Sequence, residues 1–162
     1  MRSILAKSLD SASFAPFGRY WSKSEVRSGN GYSFSSTLFP EFRGGEDEEP
    51  SLGVTTGDAL DTPCISMERH FHTSETLFTI CAPVVLCVAP SGGDSPRAEL
   101  VQAFLLVPGE LVRLNRGVWH DACRGLTESV TYGWLADCRA PLDPWVEVVG
   151  GPLRVVVNQT AQ

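Results

Sequence analysis

The sequence has no apolar run approaching the ~20 residues of a membrane span. It also has no CxxC pair among its five cysteines and only three histidines in 162 residues. Its opening, Met1-Arg2-Ser3-Ile4-Leu5-Ala6-Lys7, lacks the apolar stretch of a secretory signal, so a cytoplasmic location is expected. With an odd number of cysteines and no CxxC pair, a disulfide scaffold is not required. Four of Cys64, Cys81, Cys87, Cys123 and Cys138 lie in or beside apolar segments and read as reduced core residues. Positive charge is scarce as well: 13 Lys and Arg against 19 Asp and Glu leave a net charge of -6. Such a field repels phosphate backbones and anionic bilayers, which argues against nucleic acid and membrane surfaces as partners.

Long helical periodicity is missing too, and what remains is the punctuation of an all-β chain. Fifteen glycines and eleven prolines separate short apolar segments, and the 43% hydrophobic content suffices for one packed core. One domain spanning residues 1–162 is expected. Near the start, Leu9 to Gly18 reads as a helical turn opened by a polar cap and closed by proline and glycine, part of a short N-terminal flap. Strands are expected at 32–39, 52–56, 62–72, 76–82, 84–89, 101–107, 111–114, 118–122 and 129–136. Two closing strands, 145–149 and 153–157, flank Gly150-Gly151 as a hydrophobic C-terminal hairpin. The run Gly44-Gly45-Glu46-Asp47-Glu48-Glu49-Pro50 reads as a solvated loop, because neighbouring carboxylates repel and do not all converge on one ion. The glycosylation pattern at Asn158-Gln159-Thr160 reads as a polar tail. About ten short strands point to a small jelly-roll barrel.

The chemistry concentrates in two segments. In Glu68-Arg69-His70-Phe71-His72 a strand's alternation sends Glu68, His70 and His72 to one face and Arg69 and Phe71 to the other. Glu75 follows three residues later, and Val118-Trp119-His120 delivers the third histidine after the Gly117 turn. If a barrel brings both segments together, His70, His72, Glu75 and His120 form a ligand set for a divalent ion such as Zn, Mn, Fe or Ni, among which the donors do not choose. A lone strand histidine is more often structural, but an HxH pair beside a carboxylate makes a metal about as probable as hydrogen bonding. Glu75 reads equally as a general base or a loop charge. Arg69 and Arg116 are surface or ion-pair arginines by default, and carboxylate grips in the functional reading. Trp119 reads first as core packing and second as a platform for substrate. Asp121 should point away from His120.

Glu68-Arg69-His70 with Thr73-Ser74, and Arg116-Gly117-Val118-Trp119-His120, resemble signature stretches of the ureidoglycolate lyase family. The likeness extends to Phe14-Ala15-Pro16-Phe17-Gly18 and Val101-Gln102-Ala103-Phe104. It implies a cupin-like double-stranded β-helix, a homodimer, and release of urea from ureidoglycolate to leave glyoxylate in purine catabolism. The chain departs from the family's pattern at Phe71, Glu75, Asp121 and Ala122, and His72 is an additional histidine.

The expected mechanism has a divalent cation chelating a small 2-hydroxy acid, Glu68 as general base, and Arg116 or Arg69 neutralising the substrate carboxylate. Alternation makes Arg116 the safer of the two arginines. Two other readings stay open: a metal-dependent cupin acting on a sugar or sugar acid, and a non-catalytic cupin that binds a small acid through hydrogen-bonding histidines.

Overall fold

A computed structural model describes residues 1–22, 27–34, 50–137 and 144–158. Residues 35–39 of the expected fourth-decade strand, the acidic run 44–49, Cys138 and the last two residues of the glycosylation pattern lie outside them. In chain order the elements are β1 (Arg2–Ser8), α1 (Ser11–Phe14), β2 (Gly18–Trp21), β3 (Arg27–Gly29), β4 (Tyr32–Phe34), β5 (Pro50–Gly57), β6 (Ser66–Met67) and β7 (Glu75–Phe78). There follow β8 (Val84–Ala89), β9 (Gln102–Leu106), β10 (Leu111–Leu114), β11 (Trp119–His120), β12 (Arg124–Gly125), β13 (Val130–Asp137), β14 (Val146–Glu147) and β15 (Leu153–Val156).

Two sheets face each other. One runs β11-β8-β9-β1-β15 with β12 also on β8, and the other runs β2-β10-β7-β13-β5. Alternate residues from both fill the space between them: Val84, Leu86 and Val88 of β8, Phe104 and Leu106 of β9, Val112 and Leu114 of β10, with Leu77 and Tyr132. The odd-numbered residues of β8 point the other way, into a second cluster with Met67, Cys64, Trp119, Leu153 and Val155. A strand covered on both faces must be apolar throughout, which is why Val84–Ala89 shows no alternation in sequence and is buried at every position.

The amino-terminal segment is more integrated than a flap. β1 pairs in parallel with both β15 and β9, joining the sheet across its far half. Its alternation is weak, with Ile4, exposed Leu5 and Ala6 consecutive between polar ends, so the strand is hard to read from sequence. The helical turn is where the polar cap predicts it: the Asp10 carboxylate accepts from the Ala12 and Ser13 amides at 2.9 Å. This turn lowers Phe14 onto Phe104, with ring centroids 5.3 Å apart, and Phe17 follows at 5.8 Å. The C-terminal segments do not form a hairpin. β14 pairs β6 while β15 pairs β1, so the chain after Gly150-Gly151 crosses to another edge.

Phe104 is fully buried between the two aromatic rings of the amino-terminal turn. Phe104→Ala is expected to cost about 3–5 kcal/mol, and to lower the melting temperature by about 6–20 °C for a chain of this size. Thermal melting followed by circular dichroism checks this; a shift of a degree or two would show that the turn is not anchored there.

Candidate active site

Three main-chain hydrogen bonds bring the two histidine-bearing segments together. The Glu68 amide donates to the His120 carbonyl at 2.9 Å, the His120 amide to the Glu68 carbonyl at 2.8 Å, and the Gly117 amide to the His70 carbonyl at 2.7 Å. Gly117 makes the last contact possible. Its φ is +77°, and a Cβ there would lie 3.1 Å from the Phe71 ring. β11 also pairs β8, with His120 opposite Val88 and Trp119 opposite Ala89. Val118 lies in the inter-sheet core, so His120 two residues on faces the same interior, while Trp119 lies in the second cluster. Glu75 has the same parity as core residue Leu77 on β7 and points into that interior as well.

The functional groups converge. His120 Nε2 lies 2.9 Å from Glu75 Oε2 and 3.9 Å from Glu68 Oε1, and His70 Nε2 lies 3.7 Å from Glu75 Oε2. The His70 and His120 ring centroids are 5.1 Å apart. One ligating atom each from Glu68, His70 and His120 falls within 4.8 Å of the others. Side-chain exposure rises from 5% at His120 through 12% at Glu75 and 17% at His70 to 24% at Glu68, so the site opens on the Glu68 side.

Burial opposes charge on Glu75, but the His120 and His70 imidazoles outweigh it and hold the carboxyl below its usual range. Burial likewise opposes a charged His120, and there Glu75, the Val118 carbonyl and Glu68 prevail, raising the imidazole. His120 Nδ1 faces the Val118 carbonyl at 3.1 Å, which places a proton on Nδ1 and directs Nε2 at the carboxylates. The 2.9 Å approach of Nε2 to Glu75 Oε2 is an off-axis ion pair, and neither buried atom has a hydrogen-bond partner of proper geometry. A buried imidazole nitrogen and a buried carboxylate oxygen in that state, with His70 and Glu68 beside them, fit a divalent cation held by nitrogen and oxygen donors.

The other expected residues are placed differently. His72 stays beside His70, with ring centroids 6.0 Å apart, but its Nε2 lies 3.2 Å from the Asp137 carbonyl, while the Asp137 amide donates to Thr73 Oγ1 at 3.0 Å. The chain bends at Phe71 and His72, so alternation along this segment stops at His70. Arg69 points out of the site as alternation requires. Its guanidinium lies between Trp119 at 4.1 Å and Phe71 at 4.4 Å and donates to the Gly93 carbonyl at 2.7 Å. Both Arg69 and Trp119 thus lie on the face away from the histidines, packed against each other; Trp119 is 2% exposed.

Arg116 lines a cavity of about 260 Å³ with Arg19, Ser74, Arg113 and Asn115. Arg113 donates from Nε and Nη2 to Ser74 Oγ at 3.1 and 2.8 Å, next to Glu75 in sequence. Sequence reasoning missed Arg19 and Arg113; the signal was the parity of β10, which buries Val112 and Leu114 and so turns Arg113 away from the core. It also missed the buried ion pair of Arg124 with Asp121 behind His120.

The sequence profile of the ureidoglycolate lyase family matches residues 1–143. The chain belongs to the ureidoglycolate lyase family. Relatives include a ureidoglycolate lyase from Chelativorans sp., 29% identical over 136 residues, covering 79% of this chain and 81% of that one. Another, from Pseudomonas savastanoi pv. phaseolicola, is 28% identical over 127 residues and covers 74% of each chain. A dTDP sugar isomerase from Desulfovibrio desulfuricans superposes with a TM-score of 0.50 at 14% identity, covering 78% of this chain and 87% of that one. That likeness is one of fold, and it agrees with the cupin jelly roll implied by the family.

If Arg69 is a clamp between two rings, Arg69→Met will lose cation–π attraction worth about 0.5–2 kcal/mol and a hydrogen bond worth about 1 kcal/mol. The expected outcome is a stability loss of about 1–3 kcal/mol by urea unfolding, with affinity for small carboxylates unchanged. Unaltered stability with weakened carboxylate binding would return Arg69 to the substrate.

Proposed function

We propose that the protein is a metal-assisted lyase that cleaves the carbon–nitrogen bond of ureidoglycolate, giving glyoxylate and urea. The observation that carries this reading is the meeting of Glu68, His70, Glu75 and His120 in one partly open interior site, in a chain of the ureidoglycolate lyase family.

Ureidoglycolate is a hemiaminal: one carbon bears a hydroxyl, a carboxylate and the ureido nitrogen. Cleavage removes the hydroxyl proton, turns the C–O bond into a carbonyl as the C–N bond breaks, and returns a proton to the departing urea nitrogen. Atoms balance without an external oxidant or reductant. His70, His120 and one or both of Glu68 and Glu75 are the residues suited to hold a divalent ion, which when bound would act as a Lewis acid toward the substrate oxygens.

Glu68 is the most open of the four groups and sits where substrate enters, so its carboxylate takes the hydroxyl proton and passes it to the leaving nitrogen. Glu75 is more deeply placed and held anionic by two imidazoles, which suits it to a fixed charge rather than to proton transfer. Arg116 is the candidate for gripping the substrate carboxylate. Its turn is tied to His70 through the Gly117 amide. A planar guanidinium suits that task better than a lysine ammonium.

Purified protein supplied with divalent cations should release urea from ureidoglycolate. His120→Ala should strip bound metal and reduce kcat/KM at least ~100-fold, and Glu68→Gln should lower kcat by about 10²–10⁴. Arg116→Met should raise KM by about 10–100-fold, the value of one charge-assisted contact. Wild-type protein that retains a divalent ion yet releases no urea would contradict the proposal.

A further inference from the structure

Behind the site just described, on the opposite side of β11, lies a second polar group that the proposed lyase chemistry does not use. Cys64, Cys87 and Asp121 are all buried, and one ligating atom from each falls within 4.8 Å of the other two. They come from three stretches of chain: the segment bridged to Leu153, strand β8, and the residue after β11. Their backbones are already joined. The Asp121 amide donates to the Cys87 carbonyl at 3.1 Å, and Cys64 exchanges hydrogen bonds of 2.9 and 3.0 Å with Leu153.

We propose that Cys64, Cys87 and Asp121 form a second metal site, selective for a thiophilic divalent cation such as zinc, that fastens β8 and β11 together behind His120. Thiolates are soft donors and favour such ions, while the front site offers only imidazole and carboxylate. Two zinc–sulfur bonds of about 2.3 Å at a tetrahedral angle leave sulfurs roughly 3.8 Å apart, so the sulfurs need close by at most about an ångström.

Charge balance decides whether an ion can reside in so buried a place. Without a metal, two neutral thiols accompany an Asp121 carboxylate and an Arg124 guanidinium, and the sum is zero. Exchange of both thiol protons for one divalent ion leaves the sum at zero, with both protons released to solvent. The burial that makes an isolated charge prohibitive therefore does not oppose the exchange. Arg124 also orients the carboxylate: Nε and Nη2 both contact Asp121 Oδ2, at 2.9 and 2.8 Å, while Nη1 donates to the Thr62 carbonyl at 2.6 Å. Both guanidinium contacts fall on Oδ2, and the carboxyl also accepts from the Cys64 thiol, a proposed co-ligand, and from the Ala122 amide.

Cobalt reports thiolate ligation by an intense sulfur-to-metal charge-transfer absorption that imidazole and carboxylate ligands do not produce. Protein expressed in cobalt-supplemented medium should carry that band with one equivalent of thiolate-bound ion. The band should vanish in Cys64→Ala and Cys87→Ala, survive in Cys81→Ala, Cys123→Ala and Cys138→Ala, and survive in His70→Ala, which addresses the front site. Folded wild-type protein without the band overturns the proposal before any substitution is made. A band that follows Cys81, Cys123 or Cys138 overturns it as well. Should the Cys64 and Cys87 variants fail to fold, persistence of the band in the other three cysteine variants decides in favour.

Discussion

The arrangement depends on a short antiparallel contact between residues 68–70 and 117–120. Glu68 and His120 exchange both main-chain hydrogen bonds, and Gly117 adds a third to His70. Because strand side chains alternate, this register settles where the neighbouring groups go. Glu68 and His120 meet in the interior, while Arg69 stacks on Trp119 outside it. A slip of one residue would exchange the two sets, burying an arginine and a tryptophan where the imidazoles now meet. Main-chain pairing of this kind is insensitive to side-chain identity, so the register can persist while the groups it presents change.

Strand β11 consequently carries different chemistry on its two faces. His120 looks into the inter-sheet interior toward Glu75 and the more exposed Glu68, whereas Asp121 looks into the second core toward Arg124 and two thiols. Both clusters are nearly closed, and each combines acidic groups with a cationic or protonatable partner. In water such pairs are worth little, but in a dry interior an unmatched member is costly, so the members are retained or lost as groups. The front cluster includes buried atoms without hydrogen-bond partners, His120 Nε2 and Glu75 Oε2. That is a liability in a purely structural network and an asset in a site that binds a ligand.

Much of this was legible in the sequence where a strand is uniform or a motif is local. Val84–Ala89 and Leu111–Leu114 stand at their expected bounds: each is a short, mostly apolar, β-branched-containing run with breakers nearby. The opposition of Arg69 to Glu68 and of Asp121 to His120 followed from parity alone. Harder to read was everything set by long-range pairing. The stretch 62–72 is broken, with regular strand only at Ser66–Met67, because it bridges to three different partners: Leu153, Val146 and His120. Its bend at residue 71 takes His72 to the Asp137 carbonyl, a partner 65 residues away that local alternation does not encode. The weak alternation of β1 gives no hint of its parallel neighbours on both sides, so its place in the sheet is not legible locally.

The central claim is that His70 and His120, fifty residues apart, serve one ion while His72 serves the scaffold. The most direct measurement is imidazole nitrogen NMR of the labelled protein during titration with zinc. The account predicts that the Nε2 resonances of His70 and His120 move together with the same equivalent of ion, that His120 keeps its proton on Nδ1 toward Val118, and that His72 does not respond. If His72 shifts in place of His70, or if His70 and His120 respond to separate equivalents, the two segments do not form one site and the account fails.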